Sequence, residues 1–415
     1  MYQRFKVIVL TVAAVFICYL DRVVISLAII PMSEEAGWSE THKGIVLGSF
    51  YIGYMLTQIY GGVLSDRMGA KIVLGVGLLV WSLFTLITPW AFFGGFIALI
   101  IARIGMGLGE GITFPAWHSL YARWIPFSER ARSVAITNSA IPIGTIFGLV
   151  VTPIIILNLG WQWAFYLYGG LGFIWYVFWE NILQSTPKED NNISPEELDF
   201  ILNNAPASEK ADTLPFSKLI SNLPLWAITV AHFCSNYSLF VFLSWLPMFI
   251  KDGLGIPMAT VGVLAMLPHI AFFLFVNTCG YFADYLTNKG MNLLTVRKLF
   301  NSIAFGGSGV CLCIIPELET VTGIITVMCL GNVFGGFSAG GFIVNHADIG
   351  PKHTGRLMGI TNMVAALPGL VGGVLTGIIL DTTHSWDMVF YVVAGVSFFG
   401  GIFYFLFAST EKQFD

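Results

Sequence analysis

The stretch Val7-Ile-Val-Leu-Thr-Val-Ala-Ala-Val-Phe-Ile-Cys-Tyr-Leu-Asp21-Arg22-Val-Val-Ile-Ser-Leu-Ala-Ile-Ile30 is largely apolar and carries two adjacent charges near its middle. It exceeds the roughly 20 residues that a helix needs to cross a bilayer. A charge at the bilayer centre costs roughly 2.5–3.5 kcal/mol on insertion scales, so two such charges are typical of side chains that face a polar pathway. The stretch therefore predicts a membrane-spanning helix with a polar face at Asp21 and Arg22.

The composition of the whole chain agrees with a membrane protein. Hydrophobic residues make up 56% of it and charged residues 11%, whereas a soluble protein carries about 25% charged residues. The net charge of −4 is small and does not bear on nucleic-acid binding, but the lack of a basic patch interleaved with aromatic residues predicts no nucleic-acid partner. The first apolar stretch is too long for the core of a signal peptide and contains charges, so it predicts a retained span.

The six cysteines lie in apolar runs, at spacings that match no metal-binding or redox motif. We expect them to be small buried apolar side chains, and we expect no cofactor and no bound metal. They are Cys18, Cys234, Cys279, Cys311, Cys313 and Cys329.

Further apolar runs follow the first, separated by charges, glycines or prolines. The twelve predicted spans are 7–30, 44–64, 72–92, 95–121, 131–156, 162–184, 224–249, 259–285, 299–316, 320–346, 355–380 and 386–409. The polar stretch 185–218 divides six spans from six, and its segment Ser194-Pro-Glu-Glu197 predicts the capped start of a short helix. The sequence thus predicts an N-terminal bundle at 1–184, a cytoplasmic linker at 185–218 and a C-terminal bundle at 219–415.

The basic residues predict the orientation of the chain in the membrane. We place both termini and the linker in the cytoplasm. Lys43 and Lys251 then lie outside and Arg22 and Arg103 lie in the membrane, which leaves 16 of the 20 Lys and Arg residues inside.

Three short motifs recur in the same order in both halves, at offsets of 218, 224 and 225 residues. The pairs are Gly62-Val-Leu-Ser-Asp66 with Gly280-Tyr-Phe-Ala-Asp284, Ile136-Thr-Asn138 with Ile360-Thr-Asn362, and Trp161-x-x-x-Phe165-Tyr166 with Trp386-x-x-x-Phe390-Tyr391. This near-constant offset indicates two duplicated six-helix halves, a plan in which transporters place their site near the membrane midplane.

Eight short segments of the chain carry a family resemblance. Two of them are Gly61-Gly-Val-Leu-Ser-Asp66-Arg67-Met-Gly69-Ala-Lys71 and Arg103-Ile-Gly-Met-Gly107-Leu-Gly109-Glu110. The other six are Tyr19-Leu-Asp21-Arg22, Gly53-Tyr54-x-x-x-Gln58-Ile-x-Gly-Gly62, Gly109-Glu110-Gly-Ile-Thr-Phe-Pro115-Ala-Trp-His118, Ala231-His232-Phe-Cys-Ser-Asn236, Val344-Asn345-His346-Ala-Asp348-Ile and Gly359-Ile-Thr-Asn362. The first two resemble signatures of the major facilitator superfamily, and the six resemble its anion–cation symporter branch. The branch holds vesicular glutamate transporters, sialin, phosphate transporters and bacterial sugar-acid transporters. The resemblance implies an all-α membrane protein with twelve transmembrane helices, in two pseudo-symmetric six-helix bundles around a central cavity.

Arg22 is the predicted anchor for an anionic substrate, because a guanidinium stays charged and grips carboxylate or phosphate with paired donors. The resemblance implies the same role, and the alternative is a structural ion pair with a neighbouring acid.

Asp21 and Glu110 are the predicted proton carriers, at positions where sugar-acid relatives place their coupling acids. Burial favours the protonated form of a carboxyl and a nearby Arg favours the ionised form, so an anion on Arg22 would promote proton uptake. The alternative is that Asp21 only neutralises Arg22.

Glu110, Phe114 and His118 recur every four residues, which predicts one shared helix face with His118 about 12 Å from Glu110. His118 is a predicted proton relay and substrate contact. At this position the chain resembles vesicular glutamate transporters and sialin, whereas the sugar-acid transporters differ. A structural histidine is the alternative. Arg103, seven residues before Glu110, is a possible charge partner for the acids or a structural residue.

Uncharged polar side chains in other spans are predicted to line the substrate pathway. Tyr54 and Gln58, one turn apart, offer a hydroxyl and an amide to a carboxylate or a sugar. His232 and Asn236 are also one turn apart, and Ser235 stands where vesicular glutamate transporters carry an Arg, which disfavours a dicarboxylate. The candidates in the rest of the second half are Asn332, Asn345 and Asn362.

The loop motif and its repeat are predicted to gate the pathway on the cytoplasmic side. Their charged members are Asp66, Arg67 and Asp284. Charge pairs and contacts with helix ends are the interactions that such residues offer.

Together these features predict a secondary active transporter that moves an organic anion, such as a sugar acid, sialic acid or an acidic amino acid, with protons by alternating access. The alternatives are a phosphate carrier, a sodium-coupled carrier and a potential-driven uniporter. A membrane enzyme is disfavoured, because no HExxH, GxSxG or paired-histidine cluster is present. We expect a monomer in the lipid bilayer. The short outer loop at 31–43 favours a bacterial cytoplasmic membrane, with an organellar membrane as the alternative.

Overall fold

A computed structural model describes residues 2–204 and 216–414, apart from the side chains at positions 59, 216, 217 and 277. The predicted linker residues 205–215 lie outside the described residues. The chain groups into two compact units, Met1–Gly37 with Ile45–Glu209 and Trp38–Gly44 with Lys210–Asp415. The predicted bounds of the bundles and of the linker stay a prediction.

Every regular element in the described ranges is helical. Up to residue 204 the helices are α1 (Gln3–Ala36), α2 (Glu40–Met68), α3 (Ala70–Phe93), α4 (Phe96–Gly111), α5 (Thr113–Trp124), α6 (Phe127–Leu159), α7 (Trp161–Ile182) and α8 (Pro195–Asn203). From residue 216 on they are α9 (Phe216–Ser221), α10 (Leu223–Met248), α11 (Met258–Asn288), α12 (Leu293–Ser302), α13 (Ser308–Ile314), α14 (Val321–Gly336), α15 (Phe342–Ile349), α16 (Thr354–Val364), α17 (Leu367–Thr383) and α18 (Trp386–Phe407).

Among the described residues, ten helical stretches are long and apolar enough to cross a membrane. They coincide with ten of the twelve predicted spans, and α2 and α7 coincide with the other two. Several spans are not single α-helices. Ile112 separates α4 from α5, and a π-helical turn at Ile303–Gly307 separates α12 from α13. Such interruptions occur frequently at functional sites.

The short helix predicted after residue 194 is confirmed as α8, and it also holds the start of α1. The Ser194 hydroxyl accepts the Glu197 amide hydrogen (3.2 Å), as a helix N-cap does. The buried Glu197 carboxylate accepts the backbone N–H groups of Gln3 (3.0 Å) and Arg4 (3.1 Å) and pairs with the Arg4 guanidinium (3.2 Å). These N–H groups lack partners within α1, so α8 fixes the N-terminal end of the helix that bears Asp21 and Arg22.

Glycines let α4 lie close to α2 and α3. A Cβ added at Gly53 would collide with the Ile104 carbonyl oxygen, and one added at Gly107 would collide with the Phe50 carbonyl oxygen. A Cβ at Gly109 would lie 2.6 Å from the Trp81 amide nitrogen. Small residues permit such backbone approach between membrane helices. The glycine pattern of span 4 therefore sets the depth at which the next residue, Glu110, is buried.

We expect Gly107→Ala to lower stability by about 1–3 kcal/mol, because the added methyl group overpacks the α2–α4 contact. The measurement is the melting temperature of the purified protein in detergent. Gly170→Ala in α7 is the matched control, because a Cβ there meets no atom within 4 Å. Equal melting temperatures for the two variants would contradict the close approach of α2 and α4.

Candidate functional site

A buried ion pair joins α1 to α4 in the first unit. The Arg22 Nε and Nη2 atoms donate to Glu110 Oε2 at 3.0 and 2.7 Å. Arg22 is 6% exposed and Glu110 is 0% exposed. The structure therefore brings together two of the predicted site residues, which lie 88 positions apart in the sequence.

Aromatic rings surround the cationic side of this pair. The Arg22 guanidinium carbon lies 4.8 Å from the ring centre of Tyr19 and 5.0 Å from those of Phe50 and Tyr54. Ring faces attract a cation at such distances. Tyr54, a predicted pathway residue, is therefore part of the Arg22 environment, and the three rings shield the guanidinium from water.

The two oxygens of Glu110 have different surroundings. Oε2 accepts both Arg22 bonds and the Cys18 thiol, whose sulfur lies 3.3 Å away. Oε1 is buried and has no hydrogen-bond partner among the described residues. A proton can therefore bind Oε1 without displacing an existing bond, and its arrival would remove the negative charge that holds Arg22.

Asp21 is fully buried but lies in separate surroundings. Its Oδ2 accepts the indole N–H of Trp81 at 3.1 Å, and its Oδ1 has no partner among the described residues. Adjacent helix residues point about 100° apart, so Asp21 and Arg22 face different neighbours. Glu110, rather than Asp21, is the carboxylate that pairs with Arg22.

Arg103 is 1% exposed and lies near the same site without a direct ion pair to a carboxylate in the described part of the chain. Its Nη1 lies 2.9 Å from the Met106 sulfur, and its guanidinium carbon lies 5.4 Å from the Phe50 ring centre. A buried cation without a carboxylate partner is costly. Its predicted role as a charge partner stays a prediction.

His118 does not join the Arg22–Glu110 pair. The predicted continuous helix is wrong at Ile112, where α4 ends and α5 begins, because the chain turns between them. His118 is exposed and stacks on Trp117, with ring centres 3.7 Å apart, whereas Glu110 is fully buried. Its predicted roles in proton relay and substrate contact stay predictions.

The remaining predicted residues of the first unit are peripheral or partly buried. Gln58 is partly buried, and its buried Oε1 has no partner among the described residues. Asp66 and Arg67 are exposed, and the Ser119 hydroxyl donates to Asp66 at 3.5 Å. Asp284 in the second unit is also exposed. The gating roles stay predictions.

The second unit contains a cavity of about 310 Å³ among its own helices. Of the predicted residues, His232, Asn236 and Asn332 line it, and no Asp, Glu, Lys or Arg is among its lining residues. Asn345 lies elsewhere, buried with its side-chain amide 2.8 Å from the Tyr404 hydroxyl. Asn362 is partly buried and is not among the lining residues.

Sequence reasoning missed several residues that shape the site. Cys18 and Tyr19 precede Arg22 by four and three positions, so helical spacing could have placed them beside the guanidinium. Cys18 is buried as expected but also donates to Glu110. Nothing in the sequence around Trp81 indicates that its indole N–H binds Asp21.

Known proteins resemble the chain over its full length. The ascorbate transporter of Arabidopsis thaliana chloroplasts is 37% identical, covering 100% of this chain and 76% of the relative. The sodium-dependent phosphate transport protein 1 of the same chloroplasts is 35% identical, covering 100% and 80%. Human sialin is 36% identical, covering 91% and 77%.

The fold is shared with solved transporter structures. A bacterial homologue of the human lysosomal transporter Spinster matches with a TM-score of 0.80 at 14% identity, covering 98% of this chain and 97% of that one. The family model of the Major Facilitator Superfamily matches residues 11–373. Members of this superfamily have twelve transmembrane helices. The chain therefore belongs to the major facilitator superfamily, in the anion–cation symporter branch that its motifs indicate, and it is a multi-pass membrane transport protein rather than an enzyme.

Proposed function

We propose that this protein transports an organic anion together with protons, with Arg22 as the anion anchor and Glu110 as the coupled proton carrier. The observation that carries the proposal is the buried Arg22–Glu110 pair, in which one carboxylate oxygen has no partner among the described residues. In that part of the chain, the carboxylate that Arg22 contacts directly is one whose charge a proton can remove.

The pair makes proton binding and anion binding mutually favourable. While Glu110 is ionised it occupies the donors of Arg22, and an anion must compete with it. Protonation of Glu110 releases those donors, and an anion that takes them removes the cation that keeps Glu110 ionised. Each ligand thus raises the affinity for the other by the same factor, which is the thermodynamic requirement for symport.

Asp21 is proposed as a second proton carrier. It is buried at mid-span, and its free Oδ1 can take a proton without losing the Trp81 hydrogen bond to Oδ2. Ionisable groups within membrane spans commonly form proton relays.

The relatives support an anion as the transported solute, and the chemical class of that anion is part of our proposal. One of them is named for ascorbate transport, which favours an organic acid. The relative named for sodium-dependent phosphate transport supports the alternative, a phosphate or sodium-coupled carrier.

We further propose a monomer with both termini in the cytoplasm. The relatives named chloroplastic do not support a bacterial inner membrane, so an organellar membrane is a second candidate.

We expect Arg22→Ala to abolish binding of ascorbate and D-gluconate, because the anion loses its charged donors. Because that variant also leaves Glu110 unpaired, which costs about 3–5 kcal/mol for a buried pair, the double variant Arg22→Ala/Glu110→Gln is measured beside it. Ligand-dependent thermal shift of the purified proteins is the measurement. Arg132→Ala, at an exposed position, is the matched control. Normal affinity in the double variant would exclude Arg22 as the anchor.

We expect Glu110→Gln to separate binding from coupling, because glutamine resembles the protonated acid and cannot release a proton. In liposomes, accumulation driven by a pH gradient should be lost, while counterflow exchange of the anion continues. Asp21→Asn should show the same pattern, and the exposed Glu319→Gln should behave as wild type. Unchanged proton-driven accumulation in both Glu110→Gln and Asp21→Asn would refute their role as proton carriers.

A further inference from the structure

A hydrogen-bonded chain of three side chains lies behind the cavity of the second unit. The His232 Nδ1 lies 3.2 Å from the Thr361 hydroxyl oxygen, and the His346 Nε2 lies 2.8 Å from the same oxygen. The His346 Nδ1 lies 2.9 Å from the Ile343 carbonyl oxygen. All three side chains are buried, and only His232 lines the cavity.

The direction of this chain follows from the carbonyl at its end. The Ile343 carbonyl only accepts, so His346 Nδ1 carries the proton, and in a neutral imidazole its Nε2 then accepts. The Thr361 hydroxyl has one proton and donates it to His346. It must then accept from His232 Nδ1–H. Donation to the Met358 carbonyl, at 3.2 Å, would leave His346 Nε2 facing a second acceptor.

This direction leaves one nitrogen of His232 for the cavity. With Nδ1 protonated, Nε2 of neutral His232 is an acceptor without a hydrogen. The described residues provide it with no hydrogen-bond partner. Thr361 and His346 thus fix the tautomer of His232, as the partner of one ring nitrogen does for the other.

Four other polar side chains of the cavity each donate one hydrogen to a backbone carbonyl. The Ser308 hydroxyl donates to the Gly331 carbonyl (2.8 Å), and the Ser397 hydroxyl donates to the Phe305 carbonyl (3.0 Å). The amides of Asn236 and Asn332 donate to the carbonyls of Ala365 (2.8 Å) and Met328 (3.1 Å). Since a hydroxyl has a single proton, Ser308 and Ser397 present lone pairs to the cavity. Each asparagine keeps a second amide hydrogen beside its carbonyl oxygen, and the cavity is also lined by Ser235, Ser238, His269 and Ser338, so its surface offers uncharged donors as well as acceptors.

We propose that this cavity recognises the hydroxyl groups of the transported solute, with His232 Nε2 as a fixed acceptor and Thr361 and His346 as its positioning residues. The proposal rests on the proposed function only in taking the solute to be an anion, since the cavity is built from the second unit alone. It names the substrate class as a polyhydroxylated monoanion, a sugar acid or a related lactone.

The chemistry of the cavity favours hydroxyl groups over ions. A carboxylate or phosphate is bound best by cationic side chains, and neither Lys nor Arg is among the described residues that line this cavity. A cation would suit the acceptors, but no carboxylate lines the cavity to balance its charge. The volume, about 310 Å³, falls at the lower end of small-molecule pockets. Side chains such as Phe242 and Phe272 offer apolar faces to the carbon skeleton of a polyol.

The test compares D-gluconate with hexanoate, which has the same carbon number and one carboxylate but no hydroxyl groups. Affinities of both acids, and of the neutral polyol sorbitol, are measured by titration of the purified full-length protein. Thr361→Val removes the hydroxyl at nearly constant volume. We expect this substitution to weaken the affinity for D-gluconate by about tenfold, the effect of one hydrogen bond, and to leave the affinity for hexanoate unchanged. Thr361→Ser should restore the wild-type preference, and His232→Leu should lose it.

Thr229→Val is the matched control, because its hydroxyl is buried in the same unit but bonds only to the Leu225 carbonyl of its own helix. An equal loss for D-gluconate and hexanoate in Thr361→Val would show a structural role and overturn the inference. The inference would also be overturned if the wild-type protein bound none of the three ligands, or if it did not bind D-gluconate more tightly than hexanoate. Thr361-dependence of sodium affinity, with an unchanged preference between the acids, would also overturn it.

Failure of the proposed function gives a different result. If sorbitol and D-gluconate bind equally well and depend on Thr361, while the Arg22 variants bind both normally, hydroxyl recognition stands and the anion anchor falls. If the Arg22 variants no longer bind either acid while Thr361→Val keeps the preference for D-gluconate over hexanoate, the role of Arg22 as anion anchor is supported and hydroxyl recognition by the cavity is refuted.

Discussion

The ion pair between Arg22 and Glu110 is the interaction on which the first unit depends. Removing two charges from water costs several kcal/mol for each ion, and the pair recovers this only when the remaining donors and acceptors are satisfied. Here they are not, because Glu110 Oε1 has no partner in the described part of the chain, while Oε2 accepts both guanidinium bonds and the Cys18 thiol. Such a pair holds α1 against α4 and can still exchange one member for a proton or an anion.

The two units share a plan but differ in site chemistry. The repeated motifs Gly62–Asp66 and Gly280–Asp284 lie near the ends of α2 and α11, where helix packing and chain turns restrict the sequence. The polar groups at mid-span are not repeated. The first unit buries charges, whereas the described cavity of the second unit has no charged lining residue. The two units therefore share their repeated motifs and differ in the side chains that they bury at mid-span.

The sequence predicted the spans and α8 well because both signals are local. Apolar run length determines a span, and the Ser194 cap involves residues three positions apart. The sequence left open whether Asp21 or Glu110 neutralises Arg22, because the answer depends on how distant helices rotate about their axes. Nearly uniform apolar spans do not specify that rotation. The turn at Ile112, which interrupts the span predicted to carry Glu110 and His118, does have a local signal in the sequence. Pro115 has no N–H to donate to the Gly111 carbonyl and its ring crowds that carbonyl, which favours an interruption of the helix between Gly111 and Thr113.

The hydrogen-bonding capacities of the two units bear on the choice between phosphate and an organic acid. The Arg22 site offers donors, which suit any anion, and so it does not discriminate. The cavity behind which Thr361 orients His232 offers uncharged polar groups, with His232 Nε2 as an acceptor, and these suit hydroxyl groups on an uncharged body. Inorganic phosphate is compact and charged, so it would gain little from a surface whose described lining contains no Lys or Arg. A hydroxylated organic acid would use both kinds of group, and this difference is the physical basis of the proposed preference for an organic acid over phosphate.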